Sequence, residues 1–344
     1  MLSTPSSLPL LYSSESSLVN YRYAAFSASC SNSNSSFGTW RLGKNGKSAT
    51  CKIKTHAKMA KSEMDADRIT AVPADAGNSS SSFLSFLCPL LKLVGGGDPS
   101  GERNDMLEIV TSSLSSLARL PWGSKSLLES SRTQSAAENY STCLQLYEFE
   151  ACPFCRRVRE AMTELDLSVE VYPCPKGSLR HREIVRNIGG KEQFPFLVDS
   201  NTGRSMYESG EIVKYLFYQY GHGRKPSFGL LESTIFTGWV PTILRAGRGM
   251  TLWPRAKPEP PLQKLEFFSY ENNLYARIVR EALCELEIPY ILRNVGEGSS
   301  NSELLLQTSG SNEVPYLVDP NTSTELGNHK KILSYLFQTY SIIN

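Results

Sequence analysis

The chain has 344 residues, of which 40% are hydrophobic and 20% are charged, and its formal net charge is +2. Because a domain typically has roughly 150 residues, this length predicts about two domains plus extensions. Residues 1–60 carry seven Lys or Arg and a single acid, Glu15, so the remaining chain holds 29 basic and 33 acidic side chains. A mildly acidic body argues against nucleic acid as a partner.

The first 60 residues are rich in serine and poor in acids. Thirteen of the first 40 residues are serine, and no acid lies between Glu15 and Glu63. This composition predicts a plastid transit peptide over residues 1–60, and with it a chloroplast location in the stroma or at a membrane surface. Low-complexity disorder is the alternative interpretation of this segment.

Residues 61–140 are predicted to be mostly irregular. Their apolar stretch at 83–94 is too short to span a bilayer and contains Pro89. We expect this stretch to form a short apolar helix that packs on the folded body, with a membrane surface as the alternative. A second short helix is predicted over residues 106–117.

An internal repeat dominates the rest of the chain. The sequence Val-Arg-Glu-Ala at 158–161 recurs at 279–282, and Pro-Phe-Leu-Val-Asp at 195–199 returns as Pro-Tyr-Leu-Val-Asp at 315–319. The offset is 121 residues in the first pair and 120 in the second. The chain therefore contains two copies of one unit, with a one-residue deletion in the second.

The repeat predicts a domain map with copies at 141–222 and 263–344 and a linker at 223–262. A proline-rich stretch near the end of the linker is expected to act as a semi-rigid spacer. Within the first copy, the hydrophobic periodicity predicts the order βαβαββα. This order indicates an α/β fold in which two parallel strands and an antiparallel hairpin share one sheet, with helices on both faces.

The sequence Cys152-Pro153-Phe154-Cys155 lies between a strand-like run and a helical run. Unpaired N–H groups and the dipole at a helix N-terminus stabilise a thiolate, and proline suits the first helical position. This spacing is typical of a redox pair, although half a zinc site or two incidental thiols are alternatives. The chain has no second CxxC, and its four histidines are scattered, so we expect no metal site.

Three landmarks in the first copy resemble the thioredoxin fold. Cys152 and Cys155 stand where glutaredoxins and the N-terminal domains of cysteine-type glutathione transferases carry their reactive cysteine. Phe194-Pro195 stands where these families have a cis-proline, and Glu208-Ser209 matches their acidic-Ser pair. The first copy is also similar to membrane-associated prostaglandin E synthase. The tandem layout behind a leader resembles plant plastid proteins of the thioredoxin-like or glutathione transferase N-terminal-domain family.

The resemblance implies a role for each landmark. The Cys152 thiolate would attack a disulfide or a glutathione mixed disulfide, and Cys155 would resolve the product. Phe194 and cis-Pro195 would present backbone groups to a peptide-like ligand. Glu208 would bind the ammonium of glutathione, while the Ser209 hydroxyl and helix N–H groups bind its carboxylate. The alternatives are an ordinary turn proline at Pro195 and a plain helix cap at Ser209. We further expect that Arg156 lowers the pKa of Cys152.

The second copy lacks these chemical groups. Asn273 and Ala276 replace the two cysteines, and Asn328-His329 replaces the Glu-Ser pair, whereas Pro315 keeps the proline. We expect this copy to be a thioredoxin fold without redox chemistry, used for packing, dimerisation or partner binding.

The sequence therefore predicts a glutathione- or thioredoxin-linked thiol–disulfide oxidoreductase of the plastid. Its partners would be glutathione, as substrate or co-substrate, and protein disulfides; a homodimer and a peripheral membrane contact are left open. The main alternative is a non-catalytic, glutathione-binding or redox-sensing scaffold. An iron–sulfur cluster shared within a dimer is a further alternative. A conjugating transferase is disfavoured because the linker is much shorter than the helical domain of such enzymes.

Overall fold

The computed structural model describes residues 105–127 and 144–342. The predicted transit peptide (1–60) and the apolar stretch at 83–94 lie outside these residues. Among the helices of the described residues, none has the length and hydropathy needed to cross a bilayer.

The order βαβαββα occurs twice, as predicted, and a further helix precedes the first copy. This preceding helix is α1 (Asp105–Leu117). The first copy consists of β1 (Leu144–Glu148), α2 (Pro153–Glu164), β2 (Val169–Pro173), α3 (His181–Gly189), β3 (Phe196–Asp199), β4 (Arg204–Met206) and α4 (Ser209–Gln219). The linker contains α5 (Ser233–Phe236) and α6 (Val240–Leu244). The second copy consists of β5 (Leu265–Ser269), α7 (Leu274–Glu285), β6 (Tyr290–Asn294), α8 (Asn301–Ser309), β7 (Tyr316–Asp319), β8 (Thr324–Leu326) and α9 (His329–Thr339).

Alternation along β1 distributes side chains to the two faces of the sheet. Leu144 and Leu146 are fully buried in the main core, where α2 and α4 pack. Tyr147 points to the other face and packs in a separate cluster with Val185 of α3. The second copy repeats this arrangement, with Phe268 and Leu305 of α8 in a separate cluster. Helices therefore cover both faces of the sheet, as predicted.

The two copies share one eight-stranded sheet with the order β4-β3-β1-β2-β6-β5-β7-β8. They join where β2 pairs antiparallel with β6, and Glu170 lies opposite Ile291 at the centre of this pairing. These two residues are equivalent by the repeat offset of 121, so a local pseudo-twofold axis passes between them. The main hydrophobic core runs through both copies and includes Val158 and its equivalent Val279. The junction is thus both hydrogen-bonded and apolar.

Two arms outside the predicted copies extend the repeat. Ser126 N–H donates to Glu297 O at 2.8 Å, and Leu252 N–H donates to Lys176 O at 2.9 Å. Lys176 and Glu297 are equivalent positions, so the arm that precedes each copy pairs with the opposite copy. The repeat unit in the structure is therefore longer than the one read from the sequence, and the arms are exchanged between copies.

A glycine allows each arm to approach the opposite copy closely. Gly123 and Gly249 both have a φ of +72°, which a residue with a side chain rarely adopts. A Cβ on Gly249 would lie 2.6 Å from the Cβ of Glu150, and one on Gly123 would lie 3.1 Å from the Cβ of Glu271. The absence of a side chain at these two positions lets the exchanged arms pack.

The proline-rich end of the linker packs against the body of the protein. Lys257 N–H donates to Tyr340 O at 3.1 Å, and Ala256 forms an antiparallel bridge with Ser341. This part of the linker is therefore attached to the end of α9, in contrast to the spacer expected from its composition.

Candidate active site

The cysteine pair begins helix α2 directly after the β1 strand. Pro153 is the first helical residue, and Cys152 is the N-cap, with its sulfur accepting from Cys155 N–H at 3.3 Å. The two cysteines are not joined by a disulfide, and both are buried: Cys152 is 2% exposed and Cys155 is 0% exposed. The predicted local geometry, with a thiol at a helix N-terminus, is present.

The two thiols have opposite acidities. Burial disfavours the Cys152 thiolate, but hydrogen bonds from the Cys155 thiol and from the N–H groups of Cys155 and Phe154 outweigh it and lower the pKa of Cys152. Burial raises the pKa of Cys155 well above its ordinary value, and hydrogen bonding to Cys152 adds to this rise. Cys152 is therefore the thiol that ionises first, and Cys155 keeps its proton.

Arg156 contacts backbone carbonyls and Glu271 instead of the Cys152 sulfur. Its guanidinium donates to Gly238 O at 2.9 Å and to Glu150 O at 3.3 Å, and its Nε lies 3.5 Å from Glu271. The pKa of Cys152 is therefore lowered by hydrogen bonds from the first turn of α2, and the expected role of Arg156 was wrong.

Phe194-Pro195 is a cis peptide bond, and so is its equivalent Val314-Pro315. The Phe194 ring packs edge-on against Phe149 at 6.1 Å between ring centroids and belongs to the cluster that encloses both cysteines. The guanidinium of Arg182 lies 4.9 Å from the centre of the Phe194 ring. Phe194 and Pro195 are therefore brought to the same site as the cysteine pair.

Glu208 and Ser209 lie at the start of α4. Glu208 is exposed, has a φ of +64° and accepts a hydrogen bond from Gln193 Nε2. Ser209 is 5% exposed and is the first residue of the helix. An exposed carboxylate thus stands next to a nearly buried hydroxyl at a helix N-terminus, which suits a ligand with both an ammonium and a carboxylate group.

The linker covers the cysteine pair. Trp239 contacts Phe154 edge-on at 6.3 Å between ring centroids, and Thr242 donates to Ala151 O at 2.6 Å. Met250 is 6% exposed and packs in the same cluster as Cys152 and Cys155. The cover explains why Cys152 is buried, and a substrate disulfide requires it to move.

The remaining described cysteines, Cys174 and Cys284, are buried. Cys174 follows β2 and donates to Tyr172 O at 3.3 Å; Cys284 lies in α7, buried as predicted, and donates to Gly249 O at 3.1 Å. Burial raises the pKa of both thiols well above the ordinary value. Cys143 lies outside the described residues. Within those residues, no group of three or more His, Cys, Asp or Glu side chains is placed to hold a metal ion.

Comparisons with known proteins find similarity in both copies. The family model "Glutathione S-transferase, N-terminal domain" matches residues 146–226 and again residues 267–342. Among solved structures, "Leishmania TDR1 - a unique trimeric glutathione transferase" is similar at 14% identity over 59% of this chain and 68% of that chain, with a TM-score of 0.22. No curated protein matches the chain. Both copies therefore have a thioredoxin-like fold and are similar to the glutathione S-transferase N-terminal domain.

In the second copy, side chains of the protein cap the two helix N-termini that correspond to the candidate site. Asn273 occupies the N-cap position of Cys152, and its side chain accepts from the N–H groups of Tyr275 and Ala276. Asn328, at the position of Glu208, caps α9 by accepting from Lys330 and Lys331 N–H. Side-chain amides therefore satisfy both helix ends that carry the candidate chemistry in the first copy.

Sequence reasoning missed two parts of the site. The covering segment (residues 236–250) lies in the predicted linker, although Leu117-Ala118-Arg119 and Gly123 correspond to Ile243-Leu244-Arg245 and Gly249 at an offset of 126 residues. This weak repeat was the available signal. The second missed part is Arg157, a buried arginine beside α4, which no local pattern distinguishes from its neighbours Arg156 and Arg159.

Proposed function

We propose that the first copy is the catalytic unit of a glutathione- or thioredoxin-linked thiol–disulfide oxidoreductase. The observation that carries the proposal is the position of Cys152 as the N-cap of α2, where its sulfur accepts from Cys155 N–H at 3.3 Å. In agreement with this geometry, the pKa of Cys152 is lowered and that of Cys155 is raised. An attacking thiol needs thiolate character at neutral pH, whereas a resolving thiol must stay protonated until the mixed disulfide has formed.

The reaction runs in two exchanges. The Cys152 thiolate attacks one sulfur of a glutathione mixed disulfide, so that a Cys152–glutathione disulfide forms and the substrate leaves as a thiolate that takes up a proton. Cys155 then loses its proton and attacks the Cys152 sulfur, which releases glutathione and leaves a Cys152–Cys155 disulfide. Two glutathione thiols, or one protein dithiol of the thioredoxin class, return the pair to its reduced form.

Glutathione is the proposed co-substrate because of the groups around the pair. Glu208 offers a carboxylate to its ammonium, Ser209 and the start of α4 suit its carboxylate, and Phe194 offers backbone groups. The match of residues 146–226 to the glutathione S-transferase N-terminal domain supports this choice.

Reduction of a glutathione mixed disulfide, coupled to glutathione reductase, tests the proposal. We expect turnover by the wild type, none by Cys152→Ser, and residual single-thiol turnover by Cys155→Ser with glutathione as reductant. Equal inactivity of the wild type and Cys152→Ser would refute an enzymatic role.

A redox-sensing binding protein is the second candidate, and the burial of Cys152 favours it. At 2% exposure the thiol is shielded by the linker, so its oxidation would alter the packing of the linker. Glutathione calorimetry separates the candidates. Absence of glutathione binding, together with partner capture that is unchanged by Cys152→Ser, would favour a scaffold.

We also propose that the protein works in plastids, on the basis of the composition of residues 1–60. A fluorescent protein fused to these residues should enter isolated chloroplasts and be shortened on import. A fusion that stays outside would contradict the proposed location.

A further inference from the structure

Helix α1 turns its apolar side outward, unlike an ordinary surface helix. Ser112 and Ser115 are fully buried on its inner side, and the Ser112 hydroxyl donates to Leu274 O of α7 at 2.7 Å. On the other side, four apolar residues are at least 47% exposed: Met106, Val110, Leu114 and Leu117. A surface helix normally buries its apolar stripe and turns its polar residues to water. The stripe of α1 therefore faces away from the body on which the helix packs.

The four exposed residues of α1 form part of a larger apolar surface. They follow one another at steps of four, four and three residues, which keeps them on one side of the helix. The α6 helix lies beside α1, since Arg245 at its end donates to Thr111 Oγ1 at 2.6 Å, and Ile243 of α6 is also exposed. The outer apolar face consists of Met106, Val110, Leu114, Leu117 and Ile243.

Polar contacts fix the orientation of α1. Arg277 of α7 is buried and donates to Ser112 O at 2.8 Å and to Ser116 Oγ at 3.0 Å. Rotation of α1 to bury its apolar stripe would break these contacts and leave the Arg277 guanidinium without acceptors. Single exposed apolar residues are common on proteins, whereas a contiguous apolar surface marks an interaction site. The outer apolar face is therefore a surface that another segment covers.

The same chain carries an apolar segment close to this face. Within residues 83–94, only Ser85 and Lys92 are polar or charged. Ten residues, 95–104, separate the segment from α1, and four of them are glycine. Ten residues of a glycine-rich chain span about 17 Å on average, and α1 with its 13 residues is about 20 Å long. The connection is therefore long enough for the segment to lie along the outer apolar face.

Charge and tethering favour this segment over other occupants. The helices α1, α5 and α6 contain no Lys or Arg, and α1 begins with Asp105 and Glu108 in its first turn. Helices that lie on anionic membranes carry Lys and Arg on their polar side, so the charges disfavour a membrane surface. A short connection holds the segment at an effective concentration in the millimolar range, which favours it over a second copy of the chain.

We propose that the apolar segment 83–94 docks on the outer apolar face of its own chain. The α1 helix is then a middle layer, with its serine side on the second copy and its apolar side under the segment. This inference names a surface for the packing that the sequence predicts for residues 83–94, and it does not depend on the proposed redox function.

Photo-cross-linking from position 114 of the full chain tests the contact. Leu114→benzoylphenylalanine introduces a probe that, under light, forms a bond to C–H groups in contact with it. We expect cross-linked peptides that join position 114 to residues 83–94, and a mixture of unlabelled and isotope-labelled protein distinguishes products within one chain from products between chains. Ile188→benzoylphenylalanine is the matched control, because Ile188 of α3 is similarly exposed, and it should give none of these peptides.

Two results of this experiment would overturn the docking. One is an equal yield of cross-links to residues 83–94 from positions 114 and 188. The other is a product that joins position 114 mainly to a second chain.

Hydrogen exchange of α1 is a second test, which leaves the outer apolar face itself unchanged. The pair Leu87→Asp and Leu91→Asp puts two charges into the segment, and the pair Ser81→Asp and Ser82→Asp puts the same charges just outside it. We expect the amides of α1 to exchange about 10- to 100-fold faster in the leucine variant, as for the loss of one buried leucine, and at the wild-type rate in the serine variant. Unchanged exchange of β1 in both variants shows that the two copies remain folded. Equal exchange of α1 in the wild type and the leucine variant would refute the docking.

Two further measurements identify a different occupant. Light scattering of the wild type and Leu114→Asp reports association with a second copy, and flotation with vesicles of phosphatidylcholine and phosphatidylglycerol reports binding to a membrane. We expect the same molecular mass for both proteins and no flotation that depends on Leu114. A dimer that Leu114→Asp disrupts, or flotation that Leu114→Asp abolishes, would assign the face to that occupant and overturn the docking of residues 83–94.

Discussion

Arg159 of the first copy donates from Nε to Glu271 of the second at 2.7 Å, and Arg280 of the second copy donates from Nε to Glu150 of the first at 3.2 Å. Arg159 is equivalent to Arg280, and Glu150 is equivalent to Glu271. All four side chains are no more than 3% exposed. The two thioredoxin-fold copies are thus joined by reciprocal buried ion pairs in addition to the pairing of β2 with β6.

Removing one acid from this network should destabilise the protein strongly. Glu271 binds Arg159 and Arg280 and lies 3.5 Å from Arg156. Glu271→Gln leaves buried guanidinium groups without a counter-charge, so we expect a loss of about 3–5 kcal/mol in the free energy of unfolding. Urea denaturation at neutral pH measures this loss.

The matched control is an exposed pair. Glu211 binds Lys214 at 2.8 Å with both side chains at least 60% exposed, so Glu211→Gln should change the free energy of unfolding by at most about 1 kcal/mol. A Glu271→Gln loss as small as that of Glu211→Gln would show that the buried pairs do not hold the copies together.

The buried Glu164 should make stability fall as pH rises. Burial raises the pKa of Glu164 to about 7, although Ser227 opposes this rise. Between about pH 4.5 and 7 the folded state holds a proton that the unfolded state has released, so the free energy of unfolding decreases across this range. Glu164→Gln should remove up to about 3 kcal/mol of this decrease, as a rise of the pKa from 4.5 to about 7 implies.

Urea denaturation from about pH 5 to pH 8 measures the difference between the two proteins, in which other titrating groups cancel. Glu303→Gln, at an exposed position of α8, should follow the wild type. Parallel pH profiles for the wild type and Glu164→Gln would contradict the raised pKa.

Much of the fold was predictable because the two copies repeat their patterns independently. The start of α2 at Pro153 and the buried positions of β1 follow from local signals, and the repeat confirmed their order. The pairing of β2 with β6 was not predictable. The residues that meet there, such as Glu170 and Ile291, read as ordinary strand residues, and nothing local states which edge finds a partner.

The parts of the site that the sequence does not reveal depend on the direction in which each side chain points from its helix. Arg156, Arg157 and Arg159 are neighbours in sequence, but each helical residue turns about 100° from the last. Arg159 therefore reaches Glu271 of the second copy, whereas Arg157 faces Gly210 of α4. The sequence likewise does not indicate that Trp239 of the predicted linker packs against Phe154.

Loss of the N-cap side chain should affect stability differently at the N-termini of α4 and α9. Asn328 accepts from Lys330 and Lys331 N–H, so Asn328→Ala should cost about 1 kcal/mol in the free energy of unfolding. Glu208 makes no capping bond, so Glu208→Ala should cost clearly less. Equal losses in urea denaturation would argue that the end of α4 is capped in solution.

Removing the Cys155 thiol should raise the pKa of Cys152. The Cys155 thiol is the largest favourable influence on the Cys152 thiolate, while the N–H groups of Cys155 and Phe154 remain in Cys155→Ala. The pH dependence of alkylation of Cys152 by iodoacetamide reports this pKa. Cys174→Ala, which removes a buried thiol from a different cluster, should leave the profile unchanged, and an unchanged profile in Cys155→Ala would contradict the assignment of the two roles.

The covering segment should limit access to Cys152 and also hold its pKa higher than in an open site. Trp239 packs edge-on against Phe154, so Trp239→Ala should open the cover and speed alkylation of Cys152 several-fold at a fixed pH. The midpoint of the pH profile should also move to lower pH, because burial disfavours the Cys152 thiolate while the hydrogen bonds from the first turn of α2 remain in the variant. Phe236→Ala is the matched control, because Phe236 lies in the same covering segment but is 79% exposed. If both variants react at the wild-type rate, the cover does not limit access; if the midpoint stays in place in Trp239→Ala, burial by the linker does not affect the pKa of Cys152.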